Sequence, residues 1–413
     1  MRMKFLAIAA LALALALATT AAPCLSADSN MKNLDFDLSK VTRDYFYEIV
    51  VPAAKAEGAV TMYNFAGSFA DTWKELISRF EAKYGIKVAY SDVKGDQANQ
   101  QLIAVQAAGQ DSPVDAYFAG GGSYPLLSSK GVVGNIALTK ILPNMANYNP
   151  QLAETVFGKP HGGSFPLVHL NQTAIGYDSA FVKAEDVPKS FEDLLVWAEK
   201  NPKRLGVTLP AKGGSGGGFI YSVALNYLTG DCRAKLTDYN QTLQQAEDWA
   251  MESECLTPVW DYYRRLLAVA ELTNGNADTL NLINNQHLHM GTVWEDQVMS
   301  FLGTKQLPDS FRVTLLEKGQ VGSGDAMFVP ANAKNVASAL LLIDMAMSKE
   351  FQLWKLEKKA SRSPRTDVTN DLMPKAVQEH VLPQSVYPRL SLPAFWDMST
   401  ALAEALDEKV LNQ

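Results

Sequence analysis

Acidic side chains beside an aromatic ring are the first candidates for chemistry in this sequence. Trp294-Glu295-Asp296 places two carboxylates next to an indole at the predicted end of a strand. Asp325, flanked by small residues, precedes an apolar strand predicted over Met327–Val329. Carboxylates with an aromatic face suit an organic cation, through charge pairing and cation–π contact. The tryptophan could equally stack on a sugar, or pack in the core while both acids favour a helix N-terminus.

Small residues and hydroxyls mark two further predicted helix starts. Asn64 to Ser68 reads Asn-Phe-Ala-Gly-Ser, and Gly120 to Ser123 reads Gly-Gly-Gly-Ser, with Gly122 just before the hydroxyl. Free backbone N–H groups at a helix start can hold a carboxylate, phosphate or hydroxyl. These residues are therefore candidate ligand contacts, although both serines could instead be plain helix caps.

A glycine-rich segment, Gly213 to Gly218, contains Ser215 in a Gly-x-Ser-x-Gly pattern. That pattern marks the nucleophile of many serine hydrolases when the serine directly follows its strand. Here five residues separate Ser215 from the strand predicted to end at Leu209. We therefore favour a flexible backbone cradle that opens a helix over Phe219–Leu228. An exported serine hydrolase using Ser215 is the competing function, and a simple linker is the third interpretation.

The elements that must position these residues alternate between strand and helix. This order predicts a parallel, doubly wound sheet for the first part of the chain. A second α/β unit begins at Ser190, which is predicted to cap a helix with Asp193 in its first turn. Open α/β sheets bind ligands at the carboxyl ends of their strands. The turns at those ends are Asn64–Ser68, Ala119–Ser123, Lys212–Gly218 and Trp294–Asp296.

The N-terminus has the pattern of a secretory signal peptide. A basic start is followed by an apolar run over Phe5–Ala18 and by small residues to Ala27. Cleavage is expected after Ala27, with Ala22 as the alternative site. Pro23 stands where a lipoprotein signal requires a small residue, which argues against a lipid anchor on Cys24.

Export leaves an acidic chain. The whole sequence has 37 basic and 44 acidic residues, and removing residues 1–27 takes away Arg2 and Lys4, so the net charge falls from −7 to −9. Such a protein is a poor candidate for binding nucleic acid or anionic lipid. The length of 413 residues predicts two domains or lobes.

Two cysteines, Cys232 and Cys255, remain after processing. In an oxidising compartment, two cysteines 23 positions apart are expected to form a disulfide. The alternative is a pair of buried free thiols.

The assembled pattern resembles the extracellular solute-binding proteins of ABC importers, the family of the maltose, polyamine, thiamine and ferric-iron binders. The resemblance covers most of residues 58–370 and rests on several segments. These are Val60–Tyr84, Val114–Ser123, Phe165–Tyr177, Pro188–Leu195, Ser363–Thr366 and above all Asp325–Ser348 with its Pro-Ala-Asn-Ala-Lys-Asn turn. Asp325–Ser348 is most similar to the return crossing of the polyamine binders.

The resemblance implies a two-lobed α/β fold with a ligand cleft and at least two interlobe crossings. The implied division is a signal peptide over 1–27, an N-terminal extension over 28–57, lobe 1 over 58–168 and 325–370, and lobe 2 over 169–324 and 371–413. It also implies a non-catalytic periplasmic protein without cofactor, expected as a monomer, that closes on a small organic solute and delivers it to permease subunits.

The resemblance also implies roles for individual site residues. In polyamine binders the position matching Asp325 holds an amine and the one matching Trp294 stacks on the ligand's alkyl chain. Ser323 stands where those proteins have an aromatic side chain, so zwitterionic, phosphorylated and polyol ligands stay open beside polyamine and thiamine. Carbohydrate and ferric iron are the alternatives within the fold. The full set of candidate contacts is Asn64, Ser68, Gly122, Ser123, Asn171, Ser215, Trp294, Glu295 and Asp325.

Overall fold

A computed structural model of the chain describes residues 30–412 as mixed α/β structure. The predicted signal peptide lies outside these residues. The strands are β1 (Ala59–Asn64), β2 (Lys87–Asp92), β3 (Ala116–Gly120), β4 (Thr155–Val156), β5 (Lys159–Pro160), β6 (Leu167–Asp178), β7 (Leu205–Thr208), β8 (Glu271–Thr273), β9 (Met290–Trp294), β10 (Phe311–Thr314), β11 (Gln320–Phe328) and β12 (Ser391–Pro393).

Helices separate most of these strands, as the alternating sequence pattern predicts. They are α1 (Phe46–Glu57), α2 (Ala70–Tyr84), α3 (Gly95–Ala107), α4 (Tyr124–Ser129), α5 (Leu138–Ile141), α6 (Phe191–Lys200), α7 (Gly214–Tyr227), α8 (Gly230–Leu236), α9 (Leu243–Glu252), α10 (Thr257–Val269), α11 (Asn276–Asn284), α12 (Glu295–Gly303), α13 (Val336–Ala346), α14 (Lys349–Lys359), α15 (Lys375–Gln378), α16 (Tyr387–Leu390) and α17 (Trp396–Leu406). Within residues 30–412, none of them combines the length and the apolar character that crossing a membrane requires.

One sheet runs through both halves of the molecule, in the order β2-β1-β3-β11-β6-β9-β7-β8. Strands β1, β2 and β3 are parallel, as predicted, and so are β7, β8 and β9. Between these two groups, β11 and β6 are antiparallel to each other and to their outer neighbours β3 and β9. Two long strands therefore join the two α/β halves, and the halves share a continuous backbone ladder.

The polar pair Asn171-Gln172 lies inside β6, although two separate strands are predicted on either side of it. Both residues pair with β11, Asn171 opposite Ser323 and Gln172 opposite Gly322. The Gln172 side chain also donates to the carbonyl of Gln320 over 2.9 Å. The predicted interruption is wrong, because the backbone of both residues pairs with β11 and the strand therefore continues through them.

Each half of the molecule has its own apolar core. In the first, Trp73 and Phe80 of α2 pack with β1, β3 and α13, and Phe46 in the segment expected to be an extension is part of the same core. In the second, α6, α7, α10 and α17 pack around β7 and include Tyr262 and Tyr263. Both tyrosines belong to the core, as their helical surroundings predict.

Two carboxylates, buried Asp115 and half-buried Glu57, anchor the turn between β11 and α13. Asp115 accepts hydrogen bonds from the backbone N–H groups of Lys334 and Asn335, each over 2.9 Å. Glu57 accepts from Ala337 over 2.9 Å and from Ser338 over 2.7 Å, which satisfies the free N–H groups of the first turn of α13. The end of β11 is thereby held against the first core.

Local signals at the second unit also match the structure. Ser190 and Asp193 form a capping box at the start of α6. Cys232 and Cys255 are joined by a disulfide with a Cα–Cα distance of 5.7 Å, which confirms the predicted pairing. The bridge ties α8 to the short turn that precedes α10.

Removing this bridge should lower the free energy of unfolding by about 3 kcal/mol, because an open chain gains the loop entropy that the cross-link denies it. The measurement is denaturant unfolding of the Cys232→Ser/Cys255→Ser double variant beside the native chain. A reductant should destabilise the native chain and leave the double variant unchanged. Equal stability of the two proteins would contradict the assignment.

Candidate functional site

A cavity of about 510 Å³ lies between the two halves, at the carboxyl ends of the parallel strands. The structure brings all four predicted turns together around it. Its walls also include side chains from β11, α12, α14 and α17. The lining residues are Phe65, Ala66, Ser68, Phe69, Gly120, Gly121, Gly122, Ser123, Asn171, Gly214, Asn276, Trp294, Asp296, Gln297, Ser300, Phe301, Ser323, Asp325, Lys359 and Trp396.

The turn after β1 is shaped by Asn64, whose side chain is fully buried beside the cavity. Its amide donates to the carbonyl of Ala66 over 2.9 Å and to the carboxylate of Asp92 over 2.7 Å, and its oxygen accepts from the Ala66 N–H over 3.1 Å. Asn64 is absent from the cavity wall, contrary to its selection as a ligand contact. It fixes the backbone of Ala66, two residues before Ser68, and Ser68 is exposed at the wall.

The turn after β3 meets the C-terminal helix across the cavity. Ser123 lines the wall, and its hydroxyl accepts a hydrogen bond from the amide of Asn99 over 3.1 Å. Gly122 lies directly under the ring of Trp396, since a Cβ atom there would be 2.7 Å from Cδ1 of the indole. The glycine thus allows the tryptophan of one half to pack on the backbone of the other.

The glycine-rich segment is the first turn of α7, which begins at Gly214 instead of Phe219. Ser215 is fully buried, and its hydroxyl donates to Oδ1 of Asn276 over 2.7 Å and lies 3.0 Å from the hydroxyl of Thr208. The flexible cradle is therefore wrong, and Ser215 is absent from the cavity wall. Its hydrogen-bond partners among residues 30–412 are threonine and asparagine, and neither can act as the general base that the hydrolase hypothesis requires.

Close packing explains why this helix start needs glycine. A Cβ on Gly216 would lie 2.1 Å from the carbonyl oxygen of Thr208, and one on Gly218 would lie 2.5 Å from Cγ2 of Thr173. A Cβ on Gly214 would be 3.0 Å from the indole nitrogen of Trp294. The glycines let α7 approach β7, β6 and the cavity tryptophan.

Aromatic rings form much of the cavity wall. Trp294, only 8% exposed, ends β9, and its ring centroid is 6.3 Å from that of Trp396. On the opposite side, Phe65 and Phe69 come from the turn after β1. Phe69 also packs on the imidazole of His169, with ring centroids 4.7 Å apart. A ligand in the cavity would meet ring faces from both halves.

Of the two acids after Trp294, only Asp296 faces the cavity. Glu295 is 1% exposed and turns into the interior, where it accepts from the hydroxyl of Tyr387 over 2.6 Å and from the N–H of Leu382 over 2.8 Å. Arg362 completes its surroundings at 3.4 Å. Successive residues of a helix point about 100° apart, so one neighbour must turn away when the other faces a ligand. Glu295, selected as a ligand contact, is thus an interior carboxylate.

Asp296 and Asp325 are brought together by a buried histidine. Nε2 of His169, in β6, lies 3.4 Å from Oδ2 of Asp296 and 3.9 Å from Oδ2 of Asp325. The hydroxyl of Ser361 lies 2.5 Å from Nδ1 on the far side of the ring. Oδ1 of Asp296 is buried and has no hydrogen-bond partner among residues 30–412. Asp296, in the cavity wall, therefore has a carboxylate oxygen whose hydrogen-bonding capacity is unmet.

Burial controls the charges of this cluster. It raises the pKa of Asp325 well above its usual range, assisted by the negative charge of Asp296 and opposed by Lys355 and the Gly121 N–H. Burial also lowers the pKa of His169 to about 4 and that of Lys355 to about 7, although the carboxylates act in the opposite direction. His169 is thus neutral near pH 7. The positive charge beside Asp296 and Asp325 is therefore smaller than the negative charge that two ionised carboxylates would carry.

A second cavity, of about 600 Å³, also borders β6 and β11, and Asn171 and Ser323 line both cavities. The two arginines in its wall, Arg362 and Arg365, already interact with other side chains of the protein. Arg365 binds Asp367 through two nitrogens, at 2.8 and 3.0 Å, and Arg362 stacks 3.7 Å from the centroid of the Tyr387 ring. The unpaired carboxylate distinguishes the first cavity as the candidate ligand site.

Sequence patterns missed Asp296 and His169, the centre of this cluster. Asp296 was visible beside Trp294, but the choice between it and Glu295 depends on the helix register. His169 lies in a predicted strand with no motif around it, and no local signal shows that it faces α12. Within residues 30–412, no group of three or more His, Cys, Asp or Glu side chains is placed to hold a metal ion.

Comparison with known proteins agrees with this architecture. The profile of the family described as bacterial extracellular solute-binding protein matches residues 75–382. No curated protein matches the sequence significantly.

Solved structures show the same two-lobed fold at low sequence identity. PotD of the spermidine/putrescine ABC transporter from Streptococcus pneumoniae is 15% identical, with 86% of this chain and 98% of that chain covered and a TM-score of 0.61. Iron-bound HitA from Pseudomonas aeruginosa is 16% identical over 86% and 98%, with a TM-score of 0.57. The Atu4243-GABA receptor is 16% identical over 86% and 96%, with a TM-score of 0.58.

Replacing Gly216 with alanine should destabilise the protein by roughly 1–3 kcal/mol, because the new methyl group would overlap the Thr208 carbonyl at 2.1 Å. The matched control is Gly67→Ala at the start of another helical segment, where nothing lies within 4 Å of the added Cβ. Thermal and denaturant unfolding of the two variants measure the difference. Equal stability would restore the flexible interpretation of this segment.

Proposed function

Because the chain belongs to the bacterial extracellular solute-binding proteins of ABC transporters, we propose that it captures a small organic solute carrying an ammonium group. The observation that carries this proposal is the pair Asp296 and Asp325, partly buried at the cavity wall with one carboxylate oxygen unpaired. An ammonium group supplies both the hydrogen-bond donors and the positive charge that such oxygens need.

The aromatic walls favour an organic cation over a bare ion. Trp294, Trp396 and Phe69 would exclude water and present ring faces to the carbon chain and to the charge. Two of the similar structures are named for ligands with amine groups, spermidine/putrescine and GABA. Their names support this ligand class, and the contacts of Asp296 and Asp325 carry the argument within this chain.

Capture requires the two lobes to move. We propose that they hinge about β6 near Pro166–Thr173 and about β11 near Gly322–Met327, the strands that run between the halves. Only a ligand that contacts both lobes shifts the protein toward the closed state. The Trp396–Gly122 contact would form at closure, since it joins α17 to the turn after β3.

The family membership also supports a role in delivering the solute to a transporter. We propose export to the periplasm through the predicted signal peptide, and transfer of the solute to the permease subunits of an ABC importer. The protein would act as a monomer and carry the solute without changing it.

Asp296→Asn and Asp325→Asn should each weaken amine binding about 10- to 100-fold, the loss expected for one charge-assisted hydrogen bond. Isothermal titration with putrescine, spermidine, 4-aminobutyrate and thiamine, beside maltose and glycerol, measures the effect. Asp309→Asn is the matched control, because Asp309 is exposed and lies outside the cavity wall. Unchanged amine affinity in both cavity variants would remove the acids from the site.

Amine binding should release protons and become tighter as pH rises. A cation beside Asp325 favours its ionised form, so its raised pKa falls on binding, and the same positive charge further lowers the pKa of Lys355 from about 7. Both changes release protons through the range in which Asp325 and Lys355 titrate in the free protein. His169, with a pKa of about 4, stays neutral throughout.

Titration of the tightest-binding amine from that set in phosphate and in Tris detects this release, because the measured enthalpy then depends on the buffer. Asp325→Asn should release fewer protons than the native chain. A buffer-independent enthalpy, with an affinity that is flat from pH 5 to 8, would contradict the coupling.

A further inference from the structure

Lys359 is a cation on the wall of the cavity that the proposed ammonium site does not explain. It lies in the last turn of α14, half-buried, with no hydrogen bond or ion pair to any of residues 30–412. By contrast, its neighbour Lys358 is exposed and lies 3.2 Å from a carboxylate oxygen of Glu357. Within a cavity built for an ammonium group, an unpaired lysine would repel the ligand unless that ligand also carries negative charge.

Helix geometry places this lysine one turn along α14 from Lys355, the lysine that interacts with Asp325. Lys359 follows Lys355 by four residues, so the two lie on the same face of α14, with Cβ atoms about 5–6 Å apart. Lys355 is fully buried at the acid end, where it donates to the carbonyl of Val168 over 2.5 Å and its charge acts on Asp325. Lys359 therefore lies about one helical turn from the end where Asp325 sits.

Along the cavity, the side chains of helix α12 change from acidic to neutral and polar. It begins at the acid end with Asp296 and reaches Ser300, four residues later on the same face. Met299 of this helix packs against the apolar cluster that contains Leu356 of α14, so the later turns of both helices lie close together. The cavity thus has an acidic end and, one turn away, an end with Lys359 and neutral hydrogen-bonding groups.

We propose that the solute is a zwitterion whose ammonium group binds Asp296 and Asp325 and whose carboxylate binds Lys359, about one helical turn away. This inference rests on the ammonium site proposed above and narrows its ligand class to linear amino acids with separated charges. Gln297 and Ser300 would donate further hydrogen bonds to the carboxylate. A diamine would place its second charge against Lys359, and a simple alkylamine would leave the lysine unpaired.

The test is isothermal titration of the full exported chain with ω-amino acids from 3-aminopropanoate to 6-aminohexanoate. An n-alkylamine and an α,ω-diamine of equal chain length accompany each of them. One length of amino acid should bind at least about ten-fold more tightly than its matched amine and diamine, as expected for one charge-assisted contact.

Variants of Lys359 and Lys358 then test which lysine binds the carboxylate of the ligand. Lys359→Met should weaken binding of the best amino acid about 10- to 100-fold and change alkylamine binding less than about three-fold. Lys359→Glu should reverse the order, so that the diamine binds more tightly than the amino acid. Lys358→Met, with the same change of charge on the exposed face, should leave all affinities unchanged. Thermal unfolding verifies that each variant is folded, and Lys359→Gln replaces Lys359→Met if that variant is not.

The outcomes separate the two proposals. If alkylamines and diamines bind as tightly as the amino acids, or if Lys359→Met weakens all three equally, the zwitterion is overturned and the ammonium site stands. If none of the three series binds and the other amines tested above do not bind either, the ammonium site itself fails. Binding of amino acids that is lost in Lys359→Met and retained in Lys358→Met supports the zwitterion.

Discussion

Burial of two carboxylates beside a neutral histidine is the constraint on which this site depends. Asp296 and Asp325 come from different elements, α12 and β11, and meet at Nε2 of His169 on β6. Burial raises the free energy of ionised carboxylates, and the nearby Lys355 is itself easily deprotonated because it is buried. The cluster is therefore short of positive charge in the free protein. The proposed ammonium group would supply that charge.

The sheet makes this arrangement possible. β6 and β11 pair with each other in the middle of the sheet and carry His169, Asn171, Ser323 and Asp325 between the two α/β halves. Polar groups that lie on strands joining two lobes can respond to both lobes at once. The second cavity, which shares Asn171 and Ser323 with the first, is lined by Arg362 and Arg365, and each of these arginines already has an acidic or aromatic partner. The first cavity differs from it in having a carboxylate with an unpaired oxygen in its wall.

Much of the fold could be predicted from local sequence. Alternating strands and helices, the Ser190 capping box and the disulfide between Cys232 and Cys255 all match the structure, because each depends on residues close in the chain or on a simple count of cysteines. The four strand-end turns also meet around one cavity, as the general behaviour of open α/β sheets predicts. The side chains that line the cavity within those turns are not fixed by local sequence. Asn64, Ser215 and Glu295 are buried and absent from the cavity wall, because their polar atoms are taken up by hydrogen bonds to other protein groups.

The sequence by itself determined the class of fold, the acidic character of the chain and the segments that meet around the cavity. Tertiary structure alone decided which carboxylate after Trp294 faces the cavity, that the glycine run is a packed helix start, that His169 contacts Asp296, and that Lys359 lines the cavity. The physical reason is the separation along the chain over which each kind of interaction acts. Periodicity and turn chemistry act over a few residues, whereas the rotation of α12 and the packing of α14 depend on contacts between residues far apart in the chain.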